Sequence, residues 1–212
     1  MDDNELYFGD WAGDTLNGYG VYIFKNGERY SGEFFDGLRH GLGKYVFFNG
    51  NYYDGTWANG KRHGQGTYYF FGTDEKYIGN FNQGYREGAG TFYFAFGDVY
   101  EGEFLENRKH GIGKLTYANG DIYIGDWVND VAAGEGKMKY VNGDEYVGGW
   151  IEGLKHGLGV YKYSDGSEYD GEFIAGSREG QGKLTYTNGD SYNGEWRCDK
   201  RHGFGAYKFS DG

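Results

Sequence analysis

Proline is absent from this chain of 212 residues, and cysteine occurs once, at Cys198. Without proline, every residue keeps a backbone N–H that can donate to a neighbouring strand, which favours continuous β-sheet. A single thiol excludes an intramolecular disulfide framework and is typical of a reducing compartment. We therefore expect a cytoplasmic protein whose fold depends on backbone pairing and side-chain packing alone.

Long apolar runs and an excess of basic residues are also missing. The mean hydropathy is −0.80, and no run is long enough for a transmembrane helix. The first residues lack the regions of a signal peptide, and Asp2 stands where myristoylation requires glycine. With 21 basic and 32 acidic residues the formal charge is −11, which disfavours nucleic-acid binding through phosphate neutralisation.

Aromatic residues and glycine, in contrast, are abundant and follow one repeat. The motif Tyr-x-Gly-x-Trp/Phe occurs nine times, almost always 23 residues apart. It begins at Tyr7, Tyr30, Tyr53, Tyr77, Tyr100, Tyr123, Tyr146, Tyr169 and Tyr192. A fixed period of this kind predicts an array in which each unit contacts mainly its neighbours. We expect residues 1–6 to be a lead-in and residues 7–212 to form a single domain of nine repeats.

Positions within a repeat are counted from its tyrosine as zero. Glycine follows at +2 and Trp or Phe at +4, a Gly-x-Gly occupies +11 and +13, and large apolar residues occupy +15 and +17. A period of two places the first three residues on one face of a strand, and +15 and +17 on one face of a second strand. Asn-Gly pairs such as Asn26-Gly27 predict a tight two-residue turn to the next repeat. The stretch from +5 to +12 is interpreted as a longer polar loop.

The sequence therefore predicts an all-β fold, an elongated single-layer antiparallel sheet of about 18 strands built from tandem hairpins and open at both ends. One face would be aromatic. The other would be charged, with acids at +3 facing lysines at +14 and +16 in cross-strand pairs. Open edge strands lead us to expect edge-strand pairing with a partner or end-to-end self-association.

Candidate catalytic and metal-binding groups follow the repeat phase instead of converging. The five histidines fall one to a repeat, so they should lie about 10 Å apart, too far for shared metal ligation. Each Gly-x-Gly precedes a strand, whereas a phosphate loop precedes a helix. Carboxylates recur on the solvated strand face, which disfavours a glycosidase-like pair. We expect no enzyme activity, and no catalytic, cofactor or metal site.

The aromatic face is the predicted partner-binding groove, because rigid rings without a reaction centre suit a peptide or helix from another protein. The groove residues are the rings at positions 0 and +4 of the central repeats. They are Tyr53, Trp57, Tyr77, Phe81, Tyr100, Phe104, Tyr123, Trp127, Tyr146 and Trp150.

The repeat resembles the MORN repeat. Tyr30 with Gly32 and Phe34, and then His40-Gly41-Leu42-Gly43, carry its signature, which covers essentially the whole chain. The resemblance implies a hairpin array that serves as a scaffold in cilia and flagella (notably radial spoke heads), the cell cortex or membrane junctions. A short, acidic chain made only of these repeats is most similar to the axonemal type. The hypothesis is a non-catalytic scaffold of the ciliary or flagellar axoneme.

An alternative hypothesis is an adaptor of the cortical cytoskeleton or the membrane surface, because MORN repeats are also linked to acidic phospholipids. The candidate lipid contacts are three pairs of basic residues in the predicted loops. They are Lys61, Arg62, Arg108, Lys109, Lys200 and Arg201. The net charge of −11 argues against this alternative.

The sixth repeat departs from the pattern. Val131, Ala132 and Ala133 stand where other repeats carry a basic residue and histidine. This apolar segment is interpreted either as a contact point or as sequence drift.

Overall fold

The computed structural model describes residues 5–211, and all of the regular structure in that range is β-strand. Two compact units are present, one that extends to Arg108 and one that begins at Lys109. The predicted all-β fold of 18 antiparallel strands in tandem hairpins is confirmed.

The first unit contains nine strands, each antiparallel to the next. They are β1 (Leu6–Ala12), β2 (Thr15–Ile23), β3 (Arg29–Phe35), β4 (Leu38–Val46), β5 (Tyr52–Ala58), β6 (Lys61–Tyr69), β7 (Lys76–Asn82), β8 (Tyr85–Tyr93) and β9 (Val99–Leu105).

The second unit contains eight further strands and, apart from its first residue, β10; these nine strands follow the same antiparallel order. They are β10 (Arg108–Thr116), β11 (Ile122–Val128), β12 (Val131–Lys139), β13 (Glu145–Ile151), β14 (Leu154–Lys162), β15 (Glu168–Ile174), β16 (Ser177–Thr185), β17 (Ser191–Arg197) and β18 (Lys200–Lys208).

Period-two alternation decides which side chains form the core. In β3, Tyr30, Gly32 and Phe34 are buried while the residues between them are more exposed. The prediction that positions 0, +2 and +4 share one face is confirmed by this pattern, which β7, β13, β15 and β17 repeat. The core is therefore a single aromatic layer on one face of each unit.

The predicted polar loop from +5 to +12 is wrong. Only positions +6 and +7 form the turn, and the second strand of the hairpin begins at +8, as β4 does at Leu38. Asp36 and Gly37 both have positive φ, 49° and 75°, as do Asn59 and Gly60, the geometry of a tight two-residue hairpin turn. Residues such as Asp, Asn and Gly tolerate this backbone region, which explains why a polar pair at +6 and +7 suffices.

The Asn-Gly pairs do not form two-residue turns either. The Phe24 N–H donates to the Glu28 oxygen at 2.9 Å, and the Gly27 N–H donates to the Phe24 oxygen at 2.9 Å. Three residues are thus enclosed, and only the last of them, Gly27, has positive φ. This is a three-residue hairpin loop that ends in a glycine bulge, the next commonest solution for joining antiparallel strands.

The tyrosine at position 0 lies across two facing glycines. Gly32 on β3 is opposite Gly43 on β4, and the Tyr30 hydroxyl donates to the Glu33 carbonyl oxygen at 2.8 Å. A Cβ on Gly43 would lie within about 2.6 Å of three atoms of Tyr30, including its hydroxyl oxygen. The glycines at +2 and +13 are therefore required because a ring occupies the space that their side chains would fill.

Acids at +3 bond to backbone instead of pairing with lysines. The register shifts after Gly32, and the Leu42 N–H there donates to the Glu33 carboxylate at 2.8 Å. Asp126 accepts the Glu135 N–H in the same way at 2.9 Å. The predicted charge pairs at these positions are wrong, because the irregular register leaves an amide that the acid satisfies.

Lysines at +14 and +16 pair with glutamates at +22, immediately before the next tyrosine. Lys137 lies 2.8 Å from Glu145, and Lys162 lies 3.4 Å from Glu168. These exposed pairs contribute little to stability.

We predict that Gly43→Ala destabilises the chain by about 2 kcal/mol or more, because the new methyl group must displace Tyr30 from its hydrogen bond and its ring contacts. Urea unfolding followed by circular dichroism measures the change. Gly84→Asn is the matched control: Gly84 has open space around it, and Asn107 occupies the same place in the next repeat. That control should stay within about 1 kcal/mol of the wild type. Equal losses for the two variants would contradict the role assigned to the ring.

Candidate partner-binding face

Two columns of rings run along the aromatic face of each unit. The inner column consists of positions 0 and +4. Tyr53 makes edge-to-face contacts with Trp57 of its own repeat at 5.2 Å and with Phe81 of the next repeat at 4.9 Å. Tyr146 does the same with Trp150 at 5.4 Å and Phe173 at 5.0 Å. Such pairs contribute about 0.5–1.5 kcal/mol each beyond burial, so the inner column couples each repeat to its neighbour.

Tryptophans at +4 add a hydrogen bond between repeats. The Trp57 Nε1–H donates to the Gly43 carbonyl oxygen at 2.9 Å, and the Trp196 Nε1–H donates to that of Gly182 at 2.9 Å. The polar groups of the inner column are therefore hydrogen-bonded, and its rings are closely packed.

The structure places all ten predicted groove residues in this inner column, where their exposed fractions are 7% or less. They are Tyr53, Trp57, Tyr77, Phe81, Tyr100, Phe104, Tyr123, Trp127, Tyr146 and Trp150. Such residues hold the repeats together and offer a partner very little surface. Their part in partner binding stays a prediction, and any contact has to include the side chains that overlie them.

The outer column consists of positions +15 and +17, and its +17 rings are more accessible than the inner column. Tyr45 lies 4.7 Å from Phe47, which lies 5.7 Å from Tyr68, and Tyr68 lies 4.8 Å from Phe70. The rings at +17 in these repeats are half-buried. The hairpin pattern predicts this row of residues. It does not show which rings are accessible, because that depends on the closed packing of the inner column.

A carboxylate stands two positions before seven of the nine repeats and holds the outer column; Asn51 and Ser167 stand there in the other two. The Tyr161 hydroxyl donates to Asp144 at 2.7 Å, and the Ser164 N–H donates to the same carboxylate at 2.7 Å. Tyr207 and Ser210 bond to Asp190 in the same way, at 2.9 and 2.8 Å. The acidic turns are thus part of the structure that orients these rings.

Cations at +9 cover the rings. The Arg39 guanidinium lies 4.6 Å from the Trp57 ring centre and 5.0 Å from that of Tyr45, and its Nη2 donates to the Gly60 carbonyl oxygen at 2.8 Å. Arg62 and Arg86 lie over rings and donate to the corresponding carbonyl of the next repeat, as Arg39 does. Burial lowers the pKa of Arg39 and of Arg62.

The predicted lipid-binding residues lie in strands, not loops, because the turns are only two residues long. Position +8 points to the outward face and +9 to the aromatic face. Lys61, Arg108, Lys200 and Arg201 are exposed. Arg62 and Lys109 are half-buried over rings, and the Lys109 Nζ lies 4.1 Å from the Trp127 ring centre. The three pairs therefore do not form one basic patch on one face.

Residues 5–211, the range that the structure describes, bear on two other functions, metal binding and membrane crossing. No group of three or more His, Cys, Asp or Glu side chains within that range could hold a metal ion. The same range contains no helix with the length and apolarity needed to cross a bilayer. The thiol of Cys198 is exposed, at a two-residue turn.

The family model described as MORN repeat matches nine segments of this chain. The segments are 7–29, 30–52, 53–72, 77–99, 100–122, 123–145, 146–168, 169–191 and 192–212. Each one starts at a tyrosine of position 0. A comparison with curated proteins found no match.

Solved structures similar to this chain include the TCP domain of Drosophila melanogaster SAS-4 (dCPAP) in complex with a proline-rich motif of Ana2 (dSTIL). The identity is 15% and the TM-score 0.49, over 82% of this chain and 93% of that chain. The G-box domain of the microcephaly protein CPAP is 17% identical with a TM-score of 0.42, over 91% and 99%. Values this low carry no inference about what this chain binds.

We predict that Arg62→Ala destabilises the chain by about 2 kcal/mol, because it removes the cation over the rings and the charged hydrogen bond to Gly84. Lys61→Ala changes the adjacent, exposed residue and should change stability by less than about 0.5 kcal/mol. Urea unfolding midpoints compare the two variants. If Lys61→Ala cost as much as Arg62→Ala, the cation would not be part of the packing.

The buried tyrosines predict alkaline unfolding. Burial raises the pKa of Tyr77, Tyr146 and Tyr169 from the ordinary value of 10 to about 12. A pKa raised in the folded state gives stability that is complete below pH 10 and is lost as pH rises from 10 towards 12. Tyrosinate absorbance and circular dichroism, recorded together, should show ionisation and unfolding in one transition within that range. Ionisation of all tyrosines near pH 10 in a folded chain would contradict the assignment.

Proposed function

This chain belongs to the MORN-repeat family, and we propose that it is a non-catalytic scaffold that binds protein partners along its aromatic face. The observation that carries the proposal is the outer column of rings. Its +17 rings repeat from hairpin to hairpin and are half-buried in the first eight repeats. The column rests on an inner column that is already packed and hydrogen-bonded. Rings held in place before binding lose little conformational freedom on contact, and aromatic and arginine side chains are the usual anchors of protein interfaces.

The proposed partner segment is an extended peptide or a helix that lies along the rings. The flanking carboxylates and the cations at +9 give this surface charges of both signs, which would fix the direction of the bound segment. Strands β1 and β18 are largely exposed, and edge-strand pairing or self-association through them stays a second proposed mode of contact.

The proposed setting is the cytoskeleton of the ciliary or flagellar axoneme, in a role similar to that of radial spoke heads. Its support is the resemblance of a short, acidic chain with MORN repeats throughout to the axonemal type. Proximity labelling with the tagged chain in a ciliated cell tests the setting. Axonemal neighbours are expected, and labelling confined to the cell cortex would contradict it.

The alternative is binding to acidic phospholipids. Three of its six residues, Arg62, Lys109 and Arg201, lie over rings of the aromatic face, which favours the protein-binding proposal. Sedimentation with vesicles of phosphatidylcholine, with and without phosphoinositide, separates the two. We expect no enrichment with phosphoinositide, and strong enrichment that Lys61→Glu with Lys200→Glu abolishes would favour the adaptor.

We predict that Phe47→Ser with Phe70→Ser reduces partner capture at least tenfold, because both rings belong to the outer column. The matched control is Phe48→Ser with Phe71→Ser, which changes the next residue in each case; those rings are 80% and 68% exposed. Proximity labelling followed by quantitative mass spectrometry reads out capture, and thermal melting confirms that both variants fold. Loss of capture by the control with retention by the first pair would contradict binding along the aromatic face.

A further inference from the structure

Seven of the nine repeats carry a cation at +9; the first repeat has Leu16 there and the sixth has alanine. Position +9 is Ala132, on β12, whereas the same position in the eighth repeat is Arg178. The Arg178 guanidinium lies 4.4 Å from the ring centre of Trp196 in the next repeat, and its Nη2 donates to the Asp199 carbonyl oxygen at 2.7 Å. The groups equivalent to Trp196 and Asp199 for Ala132 are Trp150 and Gly153.

The groups that hold the +9 cation in other repeats are present at the sixth repeat. The backbone hydrogen bond that aligns the two repeats is also present. The Gly153 N–H donates to the Ala132 oxygen at 3.0 Å, as the Gly176 N–H does to the Lys155 oxygen at 2.9 Å. The ring face of Trp150 and the carbonyl of Gly153 therefore occupy the positions that accept a guanidinium elsewhere in the chain.

An open cavity of about 470 Å³ lies where that side chain would be. Its lining includes Asp130, Ala132, Met138, Tyr140, Trp150 and Gly153. Position +15 is Met138 instead of a ring, which adds to the space. A cavity of this size can hold an arginine side chain and leaves space for the partner backbone to which it is attached.

Charges around the cavity suit a cation. Asp130 lines it and accepts the Lys109 backbone N–H at 2.8 Å, and the Lys109 ammonium lies over the neighbouring ring, Trp127. Burial raises the pKa of Tyr140, and the carboxylates of Asp121 and Asp144 raise it further. Asp121, Asp130 and Asp144 thus place negative charge near the cavity, against the single cation, Lys109, in its lining.

We propose that this cavity binds an arginine side chain from a protein partner, which takes the place that Arg39, Arg62, Arg86 and Arg178 fill in their own repeats. The proposal rests on the proposed function for the source of the arginine, while the recognition chemistry is complete within the sixth and seventh repeats. Arginine is favoured over lysine because its planar guanidinium can stack on Trp150 and donate to Gly153 together.

The test uses N-acetyl-arginine amide as the probe and N-acetyl-citrulline amide as its neutral counterpart. Titration into the whole chain is followed by the indole N–H signals in nuclear magnetic resonance, with the Trp150 signal assigned from Trp150→Phe. We expect the arginine probe to shift the Trp150 signal saturably, with a dissociation constant on the order of 1 mM, as befits one cation–π contact with a hydrogen bond. The citrulline probe should shift it at least tenfold less.

Three variants separate the site from general charge effects. Ala132→Arg places a guanidinium in the cavity and should abolish the response and raise the melting temperature. Ala133→Arg adds the same charge one residue away, on the opposite face of β12, and should keep the response. Arg178→Ala opens an equivalent cavity beside Trp196, whose indole signal should then respond to the arginine probe.

Equal responses to both probes, or an unchanged response in Ala132→Arg, would overturn the proposal. Because the probe is a small molecule, the result does not depend on partner capture. Probe binding without any captured partner would support the arginine site and count against the scaffold function. Partner capture without probe binding would support the scaffold function and count against the arginine site.

Discussion

The packing of one tyrosine ring over two facing glycines is the contact on which each repeat depends. Tyr30 fills the space above Gly32 and Gly43, and its hydroxyl reaches the Glu33 carbonyl. The part of the ring turned away from the glycines makes edge-to-face contacts with the +4 rings of its own and the next repeat. The glycines, the register shift and the column of rings thus follow from one steric requirement, the space that the tyrosine ring needs. This packing allows a sheet without a second layer to bury a core.

This arrangement divides the aromatic residues into two classes. The inner rings are buried in the fold, while the half-buried +17 rings and the cations at +9 keep surface that a partner can contact. Cations that stack on a ring of the following repeat tie neighbouring hairpins together. In the sixth repeat, where Ala132 replaces that cation, the groups that would hold it remain. In the proposed account, stability and recognition therefore use the same contacts.

Periodicity was sufficient to predict the strands, the buried face and the tandem hairpins, because a period of two has one structural meaning in a repeat this regular. It failed at both turns. Asn-Gly suits a two-residue turn, yet Gly27 closes a three-residue loop, and the tight turn lies at Asp36-Gly37. Nor could it show that Trp57 is closed to solvent or that Glu33 bonds to backbone, since both depend on the register between strands. The division into a lead-in and one domain of nine repeats stays a prediction.

Hydroxyl-radical footprinting of the chain, free and with a partner identified by proximity labelling, tests binding along the aromatic face most directly. Mass spectrometry locates the oxidised rings. The account predicts that binding protects the outer column, including Phe47, Phe70 and Tyr163, and leaves Phe48 and Phe71 as reactive as in the free chain. Protection confined to Phe48, Phe71 and other outward side chains, with the outer column unchanged, would contradict it.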